Sequence, residues 1–339
     1  MDKRLRIGVL GAANIARQFI AGVRPSDLVE VAAVGSRDEA KARAFAAETG
    51  VSRTLGSYEA LLADPDIDAV YNPLPNSLHA PWSIRAVEAG KHVLCEKPLA
   101  VSEGEAAAMF AAAERNGVVL REAYPYMAQP QAITVRRLLR ERAVGNVQFV
   151  QACIGFTLPA GPNVRWDEAL GGGAVLDAGS YPVSFLRLAV GERPLRVSAV
   201  ARFRSPGVDN TLAATVEFPG GTLGQVSCSF SSGNHRHGLI AGDGGVLEST
   251  FNNHDRSGPP HVHLRRGTAP VPPEVIDPGA GDGFRLEAEQ FARLVRGETD
   301  AWTGATPAES LDIMAIIEAA RRSAADNGRW VDIPGRGGA

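Results

Sequence analysis

Two short stretches hold residue types that could do chemistry together. The first, Lys91–Ser102, reads "KHVLCEKPLAVS": an apolar run, His92–Cys95, delivers Glu96, Lys97 and Pro98, and helix-forming sequence follows. Burying an unpaired charge costs several kcal/mol, so charges at the end of a buried strand need partners or a function. A strand that simply surfaced there would leave them solvated. The second stretch, "LGGGAVLDAGSYPVSFLRL", leads from Gly171–Gly173 into Asp177, Gly179 and Tyr181. On a helix, Asp177 and Tyr181 stand four positions apart on one face. A phenol there can donate or accept the proton that accompanies hydride transfer, if it reaches the substrate oxygen. A nearby Lys97 ammonium would favour the phenolate.

The elements around the first stretch alternate strictly. Strands are predicted at Arg6–Leu10, Val29–Gly35, Ala69–Asn72, His92–Cys95 and Val118–Arg121. Helices are predicted at Ile15–Gly22, Glu39–Thr49, Tyr58–Ala63, Pro81–Ala89 and Ser102–Asn116. Strand and helix in turn imply a parallel sheet with right-handed crossovers. In such a sheet ligands bind beyond the carboxyl ends of the strands. Gly11, Ser36, Asn72 and Lys97 all emerge there, which sets Lys97 toward a nicotinamide rather than bulk water.

The first turn, "IGVLGAANIARQF", is the phosphate-binding candidate. Read as G-x-G-x-x-G/A it runs Gly11, Ala13, Ala16: a tight turn, close backbone approach and close helix packing. The helix beginning at Asn14 and Ile15 then offers free N–H groups to a pyrophosphate. The second strand ends "AVGSRDEAK", with Ser36 and Arg37 where an NAD-preferring site usually carries an acid. The Arg37 fork suits a 2′-phosphate and Ser36 can donate a further hydrogen bond, so NADP is expected. The exit of the Ala69–Asn72 strand, "YNPLPNSLHAPW", places Asn72, Pro73, Asn76 and His79 at the cofactor rim.

Beyond residue 122 the pattern changes. A helix is predicted at Arg136–Arg142. Long strands then follow at Val147–Phe156, Leu195–Phe203, Leu212–Phe218, Thr222–Phe230, Arg236–Ala241 and Val246–Phe251. "FPGGT" reads as a tight hairpin, and the Pro/Gly-rich excursion over 252–283 as a loop or lid near a sheet edge. Two helices end the domain, the second opening at Thr306–Pro307. The expected fold class is α/β: a Rossmann domain over 1–122, and an α+β domain over 123–339 built on an open, mostly antiparallel sheet.

Composition narrows the function. The chain has 339 residues, 45% hydrophobic and 22% charged, enough for two domains with separate cores. A net charge of -3 argues against a nucleic-acid surface. Cys95, Cys153 and Cys228 form no CxxC pair. The histidine pairs His235/His237 and His261/His263 lack a further ligand at motif spacing, so no metal is expected. The opening "MDKRLRIGVLGAAN" passes from charges into a short strand, and no later run approaches a membrane span, so a cytoplasmic protein is expected.

"GAANIA", "SR" after the second strand, "GKHVLCEKPLA" and "GGGAVLDAGSYP" together resemble the glucose–fructose oxidoreductase/inositol dehydrogenase (Gfo/Idh/MocA) family. The resemblance implies a dinucleotide domain and an open-sheet domain that associates through its exposed face into a homodimer or homotetramer. It implies that Lys97 and Tyr181 flank the reacting carbon, with Asp177 in support. It also allows a cis peptide before Pro98. Tyr181, where many members have histidine, is similar to the NADP-linked sugar and dihydrodiol branches. Where sugar-acting relatives often read E-A-x-M-Y-R-x-H-P-Q, this chain has "EAYPYMAQPQ", with Met127 and Gln129 in place of arginine and histidine. Tyr126 and Met127 are then the substrate-side residues of a less polar pocket. "NVRWDEA" adds Asn163, Arg165 and Trp166 as polar and stacking contacts.

The expectation is an NADP-dependent oxidoreductase interconverting a secondary alcohol and a ketone on a cyclic polyol-like small molecule. Two alternatives stay open: a reductase or dehydrogenase of a less polar diol, ketone or imine, and a protein that senses NADP(H) without turning it over.

Overall fold

The computed structural model describes residues 4–253 and 260–335. The chain divides into two compact units. One gathers the residues to Ala100, Gly104–Gln129 and Gly281–Pro307; the other holds Val101–Glu103, Pro130–Ala280 and the residues from Ala308 onward.

The first unit is the alternating one. Its elements are β1 (Leu5–Leu10), α1 (Asn14–Val23), β2 (Val29–Gly35), α2 (Glu39–Thr49), β3 (Thr54–Leu55), α3 (Tyr58–Ala63), β4 (Ala69–Asn72), α4 (His79–Glu88), β5 (His92–Glu96), α5 (Glu103–Arg115) and β6 (Leu120–Ala123). The six strands are parallel in the order β3-β2-β1-β4-β5-β6, a doubly wound sheet whose direction of winding reverses between β1 and β4. The predicted strands and helices fall in place within a few residues; only the two-residue β3, too short for a periodic signal, is added.

The second unit follows with α6 (Pro130–Arg140), β7 (Val147–Thr157), α7 (Ala174–Asp177), α8 (Ser180–Val190), β8 (Arg196–Ser205), β9 (Val208–Glu217), β10 (Leu223–Ser229), β11 (Ser231–Gly242), β12 (Gly245–Ser249), β13 (Val262–Arg266) and β14 (Glu274–Ile276). The remaining elements are α9 (Gly283–Val295), α10 (Pro307–Ala325) and β15 (Val331–Asp332). The second sheet has nine strands in the order β14-β13-β12-β11-β7-β10-β9-β8-β15. Among the described residues of this sheet, only β7 and β10 pair in parallel. The α/β class with a second, open and mostly antiparallel sheet is thus observed.

Three local expectations are corrected. The helix expected from Arg136 begins at Pro130, because a proline without a donor N–H is tolerated in a first helical turn. The 252–283 excursion is more than a loop: β13 and β14 extend the sheet edge, with Val262 and Leu264 buried on one face of β13. Residues 254–259 of that excursion lie outside the described residues. Finally, the first of the two closing helices, α9, belongs with the first unit. Its Phe284, Ala288, Phe291 and Ala292 join Ile7, Val9, Phe19 and Tyr71 in one buried cluster.

Candidate active site

In the first unit the turn after β1 is built to receive an anion. Gly11 has φ +80° and Ala13 is extended, so the chain reverses directly into α1. No side chain caps α1, which leaves its first amides available to phosphate oxygens. At the end of β2, Ser36 Oγ accepts from Asp38 N at 3.2 Å, leaving the hydroxyl proton free to donate. Asp38 turns into α2, accepting from Lys41 N at 3.0 Å as its cap, and that bond is the main reason its pKa is lowered. Arg37 is exposed, its guanidinium 5.9 Å from the Tyr58 ring centroid. Among the described residues it has no ion-pair partner. These residues fit a 2′-phosphorylated dinucleotide, with an uncommitted fork and no free acid at the ribose position.

Two of the rim residues, Asn72 and His79, also brace the fold. Asn72 is buried, donating to His79 O at 3.1 Å and Ser83 Oγ at 3.0 Å while its own oxygen accepts from Leu74 N. His79 sets its ring nitrogens against Pro98 O (2.8 Å) and Leu74 O (2.7 Å). Burial, then the Lys97 charge, push its pKa down to about 4, so the ring is neutral. A neutral imidazole donates to only one of those carbonyls at a time. Both residues therefore hold the Pro73–Asn76 exit against the Lys97–Pro98 peptide, which is cis.

Lys97 itself is half-buried, the residue before it fully so. Glu96 accepts from the Tyr71 hydroxyl at 2.6 Å. Behind them Glu122 accepts from Leu99 N at 2.9 Å. Glu287, arriving on α9, has both carboxyl oxygens fully buried. Burial, reinforced by Glu96 and Glu122, pushes the Glu287 pKa well above the usual carboxylate range and so favours its protonated form. Tyr126 and Met127 lie buried in the 3₁₀ turn before α6, where Met127 O accepts from Thr303 Oγ1 at 3.1 Å.

In the second unit, the Gly171–Gly173 turn leads into α7. Gly173 has φ +113°, and a Cβ there would meet Asp209 Oδ1 at 2.4 Å. Asp209 is buried and accepts from Val175 N at 2.9 Å. Its burial raises its pKa to about 6. Asp177 closes α7, and Tyr181 follows in the first turn of α8 after a single kink at Ala178–Gly179. Helix α8 lies close on the sheet: a Cβ at Gly238 would strike Phe185 at 2.5 Å, and one at Gly224 Leu186 at 2.6 Å. Its far end is tied down by Asp312 of α10, which takes Arg187 at 2.8 Å and Arg193 at 2.6 Å.

Arg165 pairs with Asp177, and that carboxylate holds the guanidinium charged. Trp166 packs edge-on against Phe230 at 5.3 Å and lies under Arg204 at 4.3 Å. Tyr181, nearly buried, has the Arg236 guanidinium 4.7 Å over its ring, and its hydroxyl oxygen accepts from Asn253 Nδ2 at 2.7 Å. The unit thus brings Arg165, Asp177 and Tyr181 together. Asp209, Arg236, Asn253 and Glu287 went unread in the sequence, since none stands in a recognisable motif. Among the described residues no group of three or more His, Cys, Asp or Glu side chains could hold a metal ion, and His237 pairs instead with Glu248. No helix among them is long and apolar enough to cross a membrane.

A doubly wound sheet with an uncapped glycine turn, in one chain with a second unit carrying a polarised tyrosine, defines a dinucleotide-linked oxidoreductase. The chain belongs to the Gfo/Idh/MocA oxidoreductase family: residues 5–124 match its NAD-binding Rossmann fold and residues 132–248 its C-terminal domain. It is 38% identical over 328 residues to a D-xylose 1-dehydrogenase (NADP(+)) of Haloferax volcanii, covering 94% of this chain and 97% of that one. It is 32% identical to a trans-1,2-dihydrobenzene-1,2-diol dehydrogenase of Danio rerio, with 94% and 96% covered. A solved 3-ketoreductase from Actinomadura kijaniata, in complex with NADP and TDP-benzene, superposes with a TM-score of 0.85 at 30% identity, covering 95% of this chain and 98% of that one.

Proposed function

We propose that this protein is an NADP-dependent oxidoreductase that interconverts a secondary alcohol and a ketone on a sugar-like or cyclic polyol substrate. The observation that carries the reading is the setting of Tyr181, a phenol with a guanidinium over its ring and an amide on its oxygen. Both favour the phenolate and so ease proton exchange with a substrate oxygen. When bound, NADP(H) supplies or accepts the hydride. Gly11, Ala13, Asn14 and Ile15 hold its pyrophosphate, and Ser36 and Arg37 its 2′-phosphate. Tyr181 gives its proton to the nascent alkoxide in reduction and takes it back in oxidation. Lys97 is the second residue assigned to the hydride-transfer step. Asp177 keeps Arg165 oriented as a hydroxyl-binding group. The sugar, diol and keto-sugar relatives, one named for NADP(+) and one solved with NADP, support this class.

A less polar cyclic diol or ketone is the second reading, favoured by the aromatic cluster of Phe156, Trp166 and Phe230 beside Arg165. The test is nicotinamide oxidation and reduction by the purified protein across aldoses, keto sugars, cyclic polyols and apolar cyclic diols and ketones. Turnover with NADP(H) on one of these classes is expected, and Tyr181→Phe should reduce it about 10²–10⁴-fold while cofactor binding survives. NADPH binding without turnover on any of them would instead make this a sensing protein.

A further inference from the structure

The contact between Asn253 and Tyr181 is produced by an unusual piece of backbone. Phe251, immediately beyond β12, has φ +40°, a left-handed conformation that a bulky side chain adopts only when its surroundings hold it there. They do: its ring is buried against Phe185 at 5.2 Å, and its carbonyl accepts from Arg236 Nη1 at 3.0 Å. The same Arg236 guanidinium covers the Tyr181 ring at 4.7 Å. The turn at Phe251 reverses the chain so that Asn253 reaches the phenol oxygen at 2.7 Å, the one hydrogen bond its side chain makes among the described residues. Among the described residues, Asn253 Oδ1 is buried without a partner. A buried, half-satisfied amide is a cost to folding, so its place against a reactive hydroxyl calls for a functional reason.

We infer that Asn253 is a positioning residue that sets the ionisation of Tyr181: its amide donates to the phenol oxygen, which leaves the phenolic proton free to move and stabilises the oxygen after it has gone. The inference rests on the proton-transfer role of Tyr181 proposed above. The charged groups near the phenol include Arg236 from β11 and Arg165 from the loop before the glycines, the latter paired with Asp177 of α7. Asn253 adds a neutral donor at the oxygen itself, where a hydrogen bond acts most strongly on the charge.

The test is spectroscopic titration of tyrosinate, with the Tyr181 signal taken as the difference between each protein and its Tyr181→Phe counterpart. Asn253→Leu should move the Tyr181 midpoint up by about one pH unit. The isosteric Asn253→Asp, which sets an anion at the same place, should move it further still. The pH–rate profile of oxidation should shift in the same order. Asn253→Gln, which keeps the donor, should recover part of the shift. An unmoved midpoint in Asn253→Leu, or an Asp variant titrating at or below the Leu variant, overturns the inference. Because Asn253→Asp preserves shape, a folding defect in the Leu variant leaves the ordering against wild type to decide. Full turnover in Tyr181→Phe would instead sink the proposed role of Tyr181, whatever the titration shows.

Discussion

The phenol of Tyr71 donates to Glu96 Oε1 at 2.6 Å, with both side chains buried at the carboxyl ends of neighbouring strands β4 and β5. Tyr71 is held in turn by stacking flat on Phe19, with ring centroids 3.9 Å apart. The pair secures the residue before Lys97. Tyr71→Phe keeps the stack and removes one bond to a buried carboxyl, so it should cost roughly 1–3 kcal/mol. A thermal melt reads it, and an unchanged melt would show that Glu96 does not depend on this donor.

Lys97→Met keeps the length of the side chain and removes its charge and three donors. Turnover should fall about 10²–10⁴-fold, while the melting temperature holds or rises, because a functional partly buried charge is often a stability cost. A steady-state assay and a melt on one variant suffice. Retained activity would make Lys97 an ordinary strand end.

Arg37→Ala removes a fork that forms no ion pair among the described residues and lies 5.9 Å from the Tyr58 ring centroid. Losing one charge-assisted contact should weaken NADPH binding by about 1.5–3 kcal/mol and leave NADH nearly unaffected. Titration of both cofactors against both proteins checks this, and equal weakening of the two would exclude a 2′-phosphate role.

Glu287 has a folded pKa raised above its unfolded value by burial and by Glu96 and Glu122. Such an acid costs no stability below the unfolded pKa, where both states are protonated. The cost accumulates as pH rises from about 4.3, because only the unfolded chain then ionises freely. Glu287→Gln should therefore raise the melting temperature at pH 7–8 and change it little near pH 4. Equal shifts at both pH values would point to packing instead.

The open face of the sheet leaves Val200 63% and Leu223 42% exposed. We propose this face as the surface through which copies of the chain associate into a dimer or tetramer. Val200→Asp should lower the mass measured by light scattering at equal concentration without lowering the melt of the monomer core. An unchanged mass would place the contact elsewhere.

Much of this molecule was legible locally. The alternation of β-branched runs with alanine-rich helices dictated a parallel sheet, because each strand needs a crossover and each helix a face to cover. The glycine turn, Ser36–Arg37, Glu96–Lys97–Pro98 and Asp177–Tyr181 are short spans whose residue types carry their own chemistry. What the sequence could not display were partnerships formed across long separations. Helix α9 joins the first unit because Phe284 and Phe291 fill its core. Glu287 finds Glu96 and Glu122, Asp209 holds the glycine turn, and Asn253 finds the Tyr181 hydroxyl. Strands β13 and β14 sat hidden in a Pro/Gly-rich stretch, since a sheet edge supplies half of a strand's hydrogen bonds from outside the strand. Period and propensity are properties of neighbours in the chain; burial, register and the charge state of a buried carboxyl are properties of neighbours in space, and only the tertiary structure decides those.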